Sequence, residues 1–285
     1  MKGNENKSFD LKYIVNDITS EIDIFGETFV KNNKDICYLI FDNKKYKLTS
    51  KFTFSTEGEN TLTLVIKEDD INLRGMFCFF DLNEFFKTDE EFYCNIDEDK
   101  DDDNFLIDAS SLENLDVSEC FDLSFMFYNC KNLRNFDFVK GWDVSKCKNF
   151  MFTFTFCSFS DVSFLSNWNM KNAVNLDHMF WGCENLNSLN YIKNWNVEKA
   201  KIFGRMFGNC QSITDVNPLQ NWNMSNAIDI SYMFESCIKL VKMDSLSKWK
   251  LNNKVDKQNI IYECKNLVNI PSIFKNTTDS QCEII

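Results

Sequence analysis

"HMFWGCENLNSLNYIKNWNVEKA", His178 to Ala200, decides how the chain is read. On its own, the chain's single histidine five residues before a cysteine suggests a metal pair or a Cys–His nucleophile. Against the rest of the chain it is one copy of a repeat. "MFYNC" (Met126–Cys130), "MFWGC" (Met179–Cys183), "MFGNC" (Met206–Cys210) and "MFESC" (Met233–Cys237) share one motif, and "TFTFC" (Thr153–Cys157) and "IIYEC" (Ile260–Cys264) are degenerate copies. The aligned cysteines, Cys130, Cys157, Cys183, Cys210, Cys237 and Cys264, are spaced 27, 26, 27, 27 and 27 residues apart. Twelve residues after Cys130, Cys183, Cys210 and Cys237 stand Trp142, Trp195, Trp222 and Trp249; in the 26-residue copy Trp168 comes after eleven, and the last copy has Asn276 instead.

Between Cys and Trp the apolar residues recur at every third position, as in Leu186, Leu189, Ile192 and Ile213, Val216, Leu219. A small residue follows Trp142, Trp168, Trp195 and Trp222 at a fixed distance (Cys147, Ala173, Ala200, Ala227), Lys254 replaces it after Trp249, and Cys120 holds that place in a preceding half copy. A unit of ~27 residues cannot bury its apolar side chains alone, so equivalent residues stack through successive units. The expected fold is an α/β solenoid: a leucine-rich-repeat-like, right-handed stack with a parallel β ladder. In it the Leu-x-x-Leu segment is the strand and Met-Phe-x-x-Cys a helical turn on the opposite side. "ICYLIFD" and "YKL" around Asn43, Lys44 and Lys45 predict a hairpin, and "TLTLVIKE" (Thr61–Glu68) a third strand. These would cover the open first edge of the stack. The expected organisation is a strand-rich capping module over 1–70, a degenerate first repeat over 71–110 around "GMFCFF" (Gly75–Phe80), repeats over 111–275 and a tail over 276–285.

The pattern "LxxLxxLxxWN…MFxxC" resembles the BspA-type leucine-rich repeats, the mycoplasma-lipoprotein-type repeat of unknown function, with protist and giant-virus members. The resemblance runs from about Leu112 to Phe274. Glu21–Leu48 is similar to a short module that precedes such repeats in those members. The repeat resemblance implies a leucine-rich-repeat-like solenoid and an association with adhesion and protein–protein contact, and it supplies no biochemical activity.

The net charge of −12, with only Arg74, Arg134 and Arg205 as arginines, argues against nucleic acid as a partner. "MKGNENKSFDLKYIV" has no apolar run of signal-peptide length, and nothing later approaches a membrane span. An intracellular setting, in a cytoplasm or a virion, is therefore expected, with the twelve cysteines as free thiols. Disulfides between neighbouring rungs are the alternative, since ladder spacing falls within disulfide reach.

At the position of His178 other copies carry Phe125, Phe152, Arg205 and Tyr232, so the slot varies freely. Cys183 then reads as a rung of a buried ladder, where cysteine acts as a small hydrophobe. In "TDEEFYCNIDEDKDDDN" (Thr88–Asn104), Asp97, Asp99, Asp101, Asp103 and Asp108 follow EF-hand spacing. Asp102 stands where that loop needs Gly, and Asp108 where it needs Glu. A solvated acidic insertion, a loose Ca²⁺ site and a docking loop for a basic partner are the three readings. Seven residues after each Cys, six in the short copy, runs a polar row of Asp137, Ser163, Asn190, Asn217 and Asp244; one position on stand Phe138, Phe164 and Tyr191. Row and aromatics together form the candidate partner surface, with Arg134 and Lys242 nearby; the other reading of the aromatics is a widened core. No phosphate loop or paired catalytic carboxylates stand out, so neither enzyme activity, a cofactor nor a metal is expected. The expected role is a protein–protein interaction scaffold, with a structural subunit of a larger particle or a surface adhesin as alternatives.

Overall fold

The computed structural model describes residues 6–67, 71–79, 82 and 104–275. Its N-terminal part is built on β1 (Lys7–Val15), β2 (Ile22–Asp23), α1 (Glu27–Asn33), β3 (Cys37–Phe41), β4 (Lys44–Lys47), β5 (Lys51–Phe52), β6 (Gly58–Ile66) and β7 (Leu106–Asp108). β1 buries Phe9, Leu11, Tyr13 and Val15 at alternate positions, as a strand with one face on a core does. The order is β4-β3-β6-β1-β7, with every pairing antiparallel, and β2 pairs with β5 in a separate antiparallel ribbon. The β3–β4 hairpin turns at Asp42 and Asn43, one position earlier than expected. Both residues have positive φ (48° and 60°), the type I′ geometry whose twist matches the flanking strands.

The expected solenoid with a parallel β ladder is not what the chain forms. Every strand of the described residues is antiparallel, in the five-stranded and the two-stranded sheet, and the repeats contribute only turns, 3-10 helices and isolated parallel bridges such as Asp122–Asn149 and Asn149–Asn175. The Leu-x-x-Leu segment is not a strand. It makes a turn and then a short 3-10 helix, for example Asp137–Gly141 and Asn217–Asn221. Nor is Met-Phe-x-x-Cys a helical turn. In the coil around Met126, the N–H groups of Leu123, Phe125, Phe127 and Asn129 donate to Asn149, Met151, Thr153 and Thr155 of the next coil. The N–H groups between them, of Met126, Tyr128 and Cys130, close turns back onto Leu123, Phe125 and Phe127. The cause is backbone handedness: Phe125 and Asn129 sit at φ 58° and 57°, and His178 and Gly182 repeat this at 53° and 68°. A residue in the left-handed region every fourth position curls the chain, so it cannot extend into a strand.

Three side-chain ladders run through these coils. Phe77, Phe127, Phe154, Phe180, Phe207 and Phe234 form a column of offset-stacked rings, 5.6–5.9 Å between successive centroids. Each coil's Trp donates its Nε1–H to a carbonyl of the coil before: Trp142 to Leu112 (3.0 Å), Trp168 to Val139 (2.9 Å), Trp195 to Leu165 (3.3 Å), Trp222 to Ile192 (3.1 Å) and Trp249 to Leu219 (2.9 Å). Five of the six ladder cysteines do the same with their thiols, Cys157 to Phe127, Cys183 to Phe154, Cys210 to Phe180, Cys237 to Phe207 and Cys264 to Phe234, at 2.9–3.2 Å. One continuous core joins the N-terminal sheet to the last coil, where Phe274 packs edge-on against Trp249.

Trp222→Phe keeps a ring in the ladder but removes the bond between coils, leaving the Ile192 carbonyl with the Trp195 N–H alone. The lost hydrogen bond should cost about 1 kcal/mol in urea denaturation, with an unchanged m-value.

Candidate functional site

The cysteine repeat that organises the chain has one irregularity, the 26-residue spacing from Cys157 to Cys183. In five coils the residue three after the cysteine (Leu133, Leu186, Ile213, Leu240, Leu267) donates its N–H back to the cysteine carbonyl, closing a tight turn. After Cys157 only Ser158 precedes the apolar Phe159, where other copies have two residues. That turn is missing, so the backbone cuts the corner and the surface recedes. A cleft of about 630 Å³ opens over this coil and is bordered by the coils on both sides, lined by Arg134, Asp137, Ser160, Asp161 and Asn187 over Phe136, Phe159 and Phe164. A second recess of about 240 Å³, bordered by Lys131, Gly182 and Glu184, meets it at Ser158 and Asn185. Neighbouring coils are tied here by Arg134 N–H to Ile107 O (3.3 Å) and Asn187 N–H to Ser160 O (2.9 Å). No hydrogen bond among the described residues ties Arg134–Phe136 to Ser158–Asp161.

The predicted polar row falls at the first residue of five successive 3-10 helices, which begin at Asp137, Ser163, Asn190, Asn217 and Asp244. Asp137, Asn190, Asn217 and Asp244 are exposed and Ser163 is half-buried. At three of them the residue two earlier holds the turn through its side chain. Asn135 Oδ1, Asp161 Oδ1 and Asp215 Oδ1 accept the N–H groups of Asp137, Ser163 and Asn217 at 2.7–2.8 Å. The aromatics next in line do not form one exposed patch: Phe138 and Phe164 are 6% and 5% exposed and belong to the core, while Tyr191 stands out at 46%. Asp137, Ser163 and Phe164 line the cleft; Asn190, Tyr191, Asn217 and Asp244 continue down the face beyond it. Of the flanking cations, Arg134 is held by Glu59 at 2.8 Å and Lys242 is exposed.

His178 is 2% exposed, its ring 4.3 Å from that of Phe152 and nearly parallel to it, with Nδ1 2.9 Å from Asp177 Oδ2. Phe125 stacks on Phe152 from the other side, and two coils on, the Arg205 guanidinium lies over Tyr232 at 4.2 Å. The variable slot is therefore a second column of flat side chains, of which His178 is one. The Cys183 thiol is directed at Phe154 O. Among the described residues no group of three or more His, Cys, Asp or Glu is placed to hold a metal ion. The acidic stretch lies outside the described residues except for Asn104, whose Nδ2 donates to Cys130 Sγ (3.4 Å); Asp108, beyond the stretch, pairs with Lys12.

The ladder cysteines are free thiols, and burial pushes Cys157, Cys183, Cys210 and Cys237 well above the ordinary thiol value of 9.0. What sequence reasoning missed is the cleft, although the 26-residue interval marked its place.

A family model described as "Mycoplasma protein of unknown function, DUF285" matches residues 80–215 and again 151–274. No curated protein and no solved structure matches the chain.

Two outcomes follow from the buried columns. The ladder thiols should resist a thiol reagent in the folded protein and react on unfolding. Folded-state values raised above 9.0 favour the protonated thiol, so this contribution to stability is complete below pH 9 and is lost as pH rises beyond it; urea midpoints should fall above pH 9. His178→Phe, which installs the residue of two other copies, should hold the melting free energy within about 1 kcal/mol.

Proposed function

We propose that this chain, which belongs to the DUF285 family of BspA-like repeats, works as a non-catalytic scaffold for protein–protein interaction. The observation that carries this is the placement of the polar row. Five equivalent side chains, from Asp137 to Asp244, are held in register on one face by ladders they take no part in. A face so built can change its chemistry without disturbing the core, which is how repeat proteins present binding surfaces. Exposed Tyr191, in the middle of the row, supplies an aromatic anchor of the kind that dominates interface energetics.

No helix of the described residues is long and apolar enough to cross a membrane. We place the scaffold inside a cell or a virion, on the grounds of the free thiols of ladder cysteines such as Cys157, Cys183, Cys210 and Cys237 and of an N-terminal module like that of protist and giant-virus members.

Partner capture from the native host, read by mass spectrometry, tests the reading. Combining Asp137→Lys, Tyr191→Ala and Asp244→Lys should abolish capture and leave the melting temperature within about 2 °C. Capture that persists through all three substitutions would remove the face from the proposal.

A further inference from the structure

The cleft at the shortened coil carries a more specific conclusion, which rests on the scaffold reading. We propose that it receives an arginine or lysine side chain from an extended segment of a partner protein.

Charge is the first argument. Asp137 and Asp161 both line the cleft, and neither has a cationic partner among the described residues. The cation beside them, Arg134, is engaged by Glu59 at 2.8 Å in an exposed ion pair. An exposed carboxylate and a half-buried one at the rim of a recess favour a positive guest over an anionic one.

Shape is the second. The floor is Phe136, Phe159 and Phe164, of which Phe159 is half-buried and the other two are 3% and 5% exposed. No broad aromatic face is presented for a flat ligand to stack on. A long aliphatic stem can cover the exposed part of Phe159 while its charged end reaches the carboxylates, the arrangement by which Lys and Arg bury their stems. Arginine adds a planar fork able to bond both oxygens of one carboxylate.

The third argument is the backbone. At adjacent levels the coils are joined through Arg134 N–H to Ile107 O and through Asn187 N–H to Ser160 O. The corresponding bond between Ser160 N–H and Arg134 O is not formed, as is also the case between Thr214 N–H and Asn187 O of two regular coils. A donor and an acceptor therefore remain on opposite walls of the cleft, and an extended segment can meet both with its own backbone. Hydroxyls of Ser158 and Ser160 beside them suit the polar backbone of such a segment.

The test uses the full chain and a fluorescein-labelled heptapeptide carrying two arginines among serine and glycine. A counterpart carries citrulline, which has the same shape and no charge. Fluorescence anisotropy at low ionic strength should show the arginine peptide binding about five- to tenfold more tightly, and the advantage should shrink with salt. In Asp137→Asn/Asp161→Asn the advantage should vanish; the amide oxygen at 161 still accepts the Ser163 N–H, so the turn is retained. Asp215→Asn/Asp244→Asn removes two charges from the same face outside the cleft and should keep the advantage. Equal affinities for the two peptides, or equal losses in both double variants, would overturn the proposal. Where the arginine advantage is absent but the face substitutions still abolish partner capture, the basic guest is rejected and the scaffold stands. Where capture also survives those substitutions, both fall.

Discussion

A buried hydrogen bond from one coil into the carbonyl of the coil before it is the interaction on which the structure depends. Tryptophan Nε1–H groups make it on one side, from Trp142 to Trp249, and cysteine thiols make it on another, from Cys157 to Cys264. Each of these carbonyls also accepts a backbone N–H from its own coil, as Ile192 does from Trp195 (3.0 Å) and Phe180 from Cys183 (3.1 Å), so the side-chain donor takes its second lone pair. Side-chain donors of fixed length thereby join coil to coil, and each must sit at the same place in every coil. Unmade, the bond would leave a buried indole N–H without an acceptor, at a cost of about 1–3 kcal/mol. The strict recurrence of Cys and Trp follows from this.

The same constraint explains what the two residue types contribute. Cysteine is small enough to lie beneath a stacked phenylalanine and still carries a donor, which alanine lacks. Tryptophan fills the opposite corner and brings a single N–H, so its large ring leaves no second polar group to satisfy. At the end of the stack Asn276 replaces the tryptophan in the sequence, and Phe274 closes the core over Trp249 without a ladder bond.

Much of this was legible in the chain. Register, the burial of the Met, Phe, Cys and Trp positions, and the scaffold nature of His178 and Cys183 all followed from the interval of 27 residues. The β3–β4 hairpin and β6 were readable from their own patterns. The parallel strand ladder was misread, and the reason is visible in the spacing. Leu186, Leu189 and Ile192 recur every third residue, the period of a 3-10 helix, whereas a strand has period two. A second signal was the residue type at the left-handed positions: Asn129, Gly182 and Asn209 are residues that tolerate that region, and none of the others there is β-branched. β1 lies outside the repeats, and its signal is the period-two alternation of Phe9, Leu11, Tyr13 and Val15 rather than the 27-residue interval. The polar row was found, but the burial of Phe138 and Phe164 was not, since inward and outward turns of a 3-10 helix lie only one residue apart.

The coil after Cys157 shows how such an architecture can acquire a site. Losing one residue at the surface opened a recess on each side of Ser158 and left both internal ladders intact, with Trp168 and Cys183 still bonded to the preceding coil. Position along the stack and chemistry of the opening are then set separately, the first by which copy is shortened and the second by whatever side chains border the gap. In a protein of this kind, insertions and deletions between the fixed rungs are heritable units of surface design, and coil length is as informative about binding as residue identity.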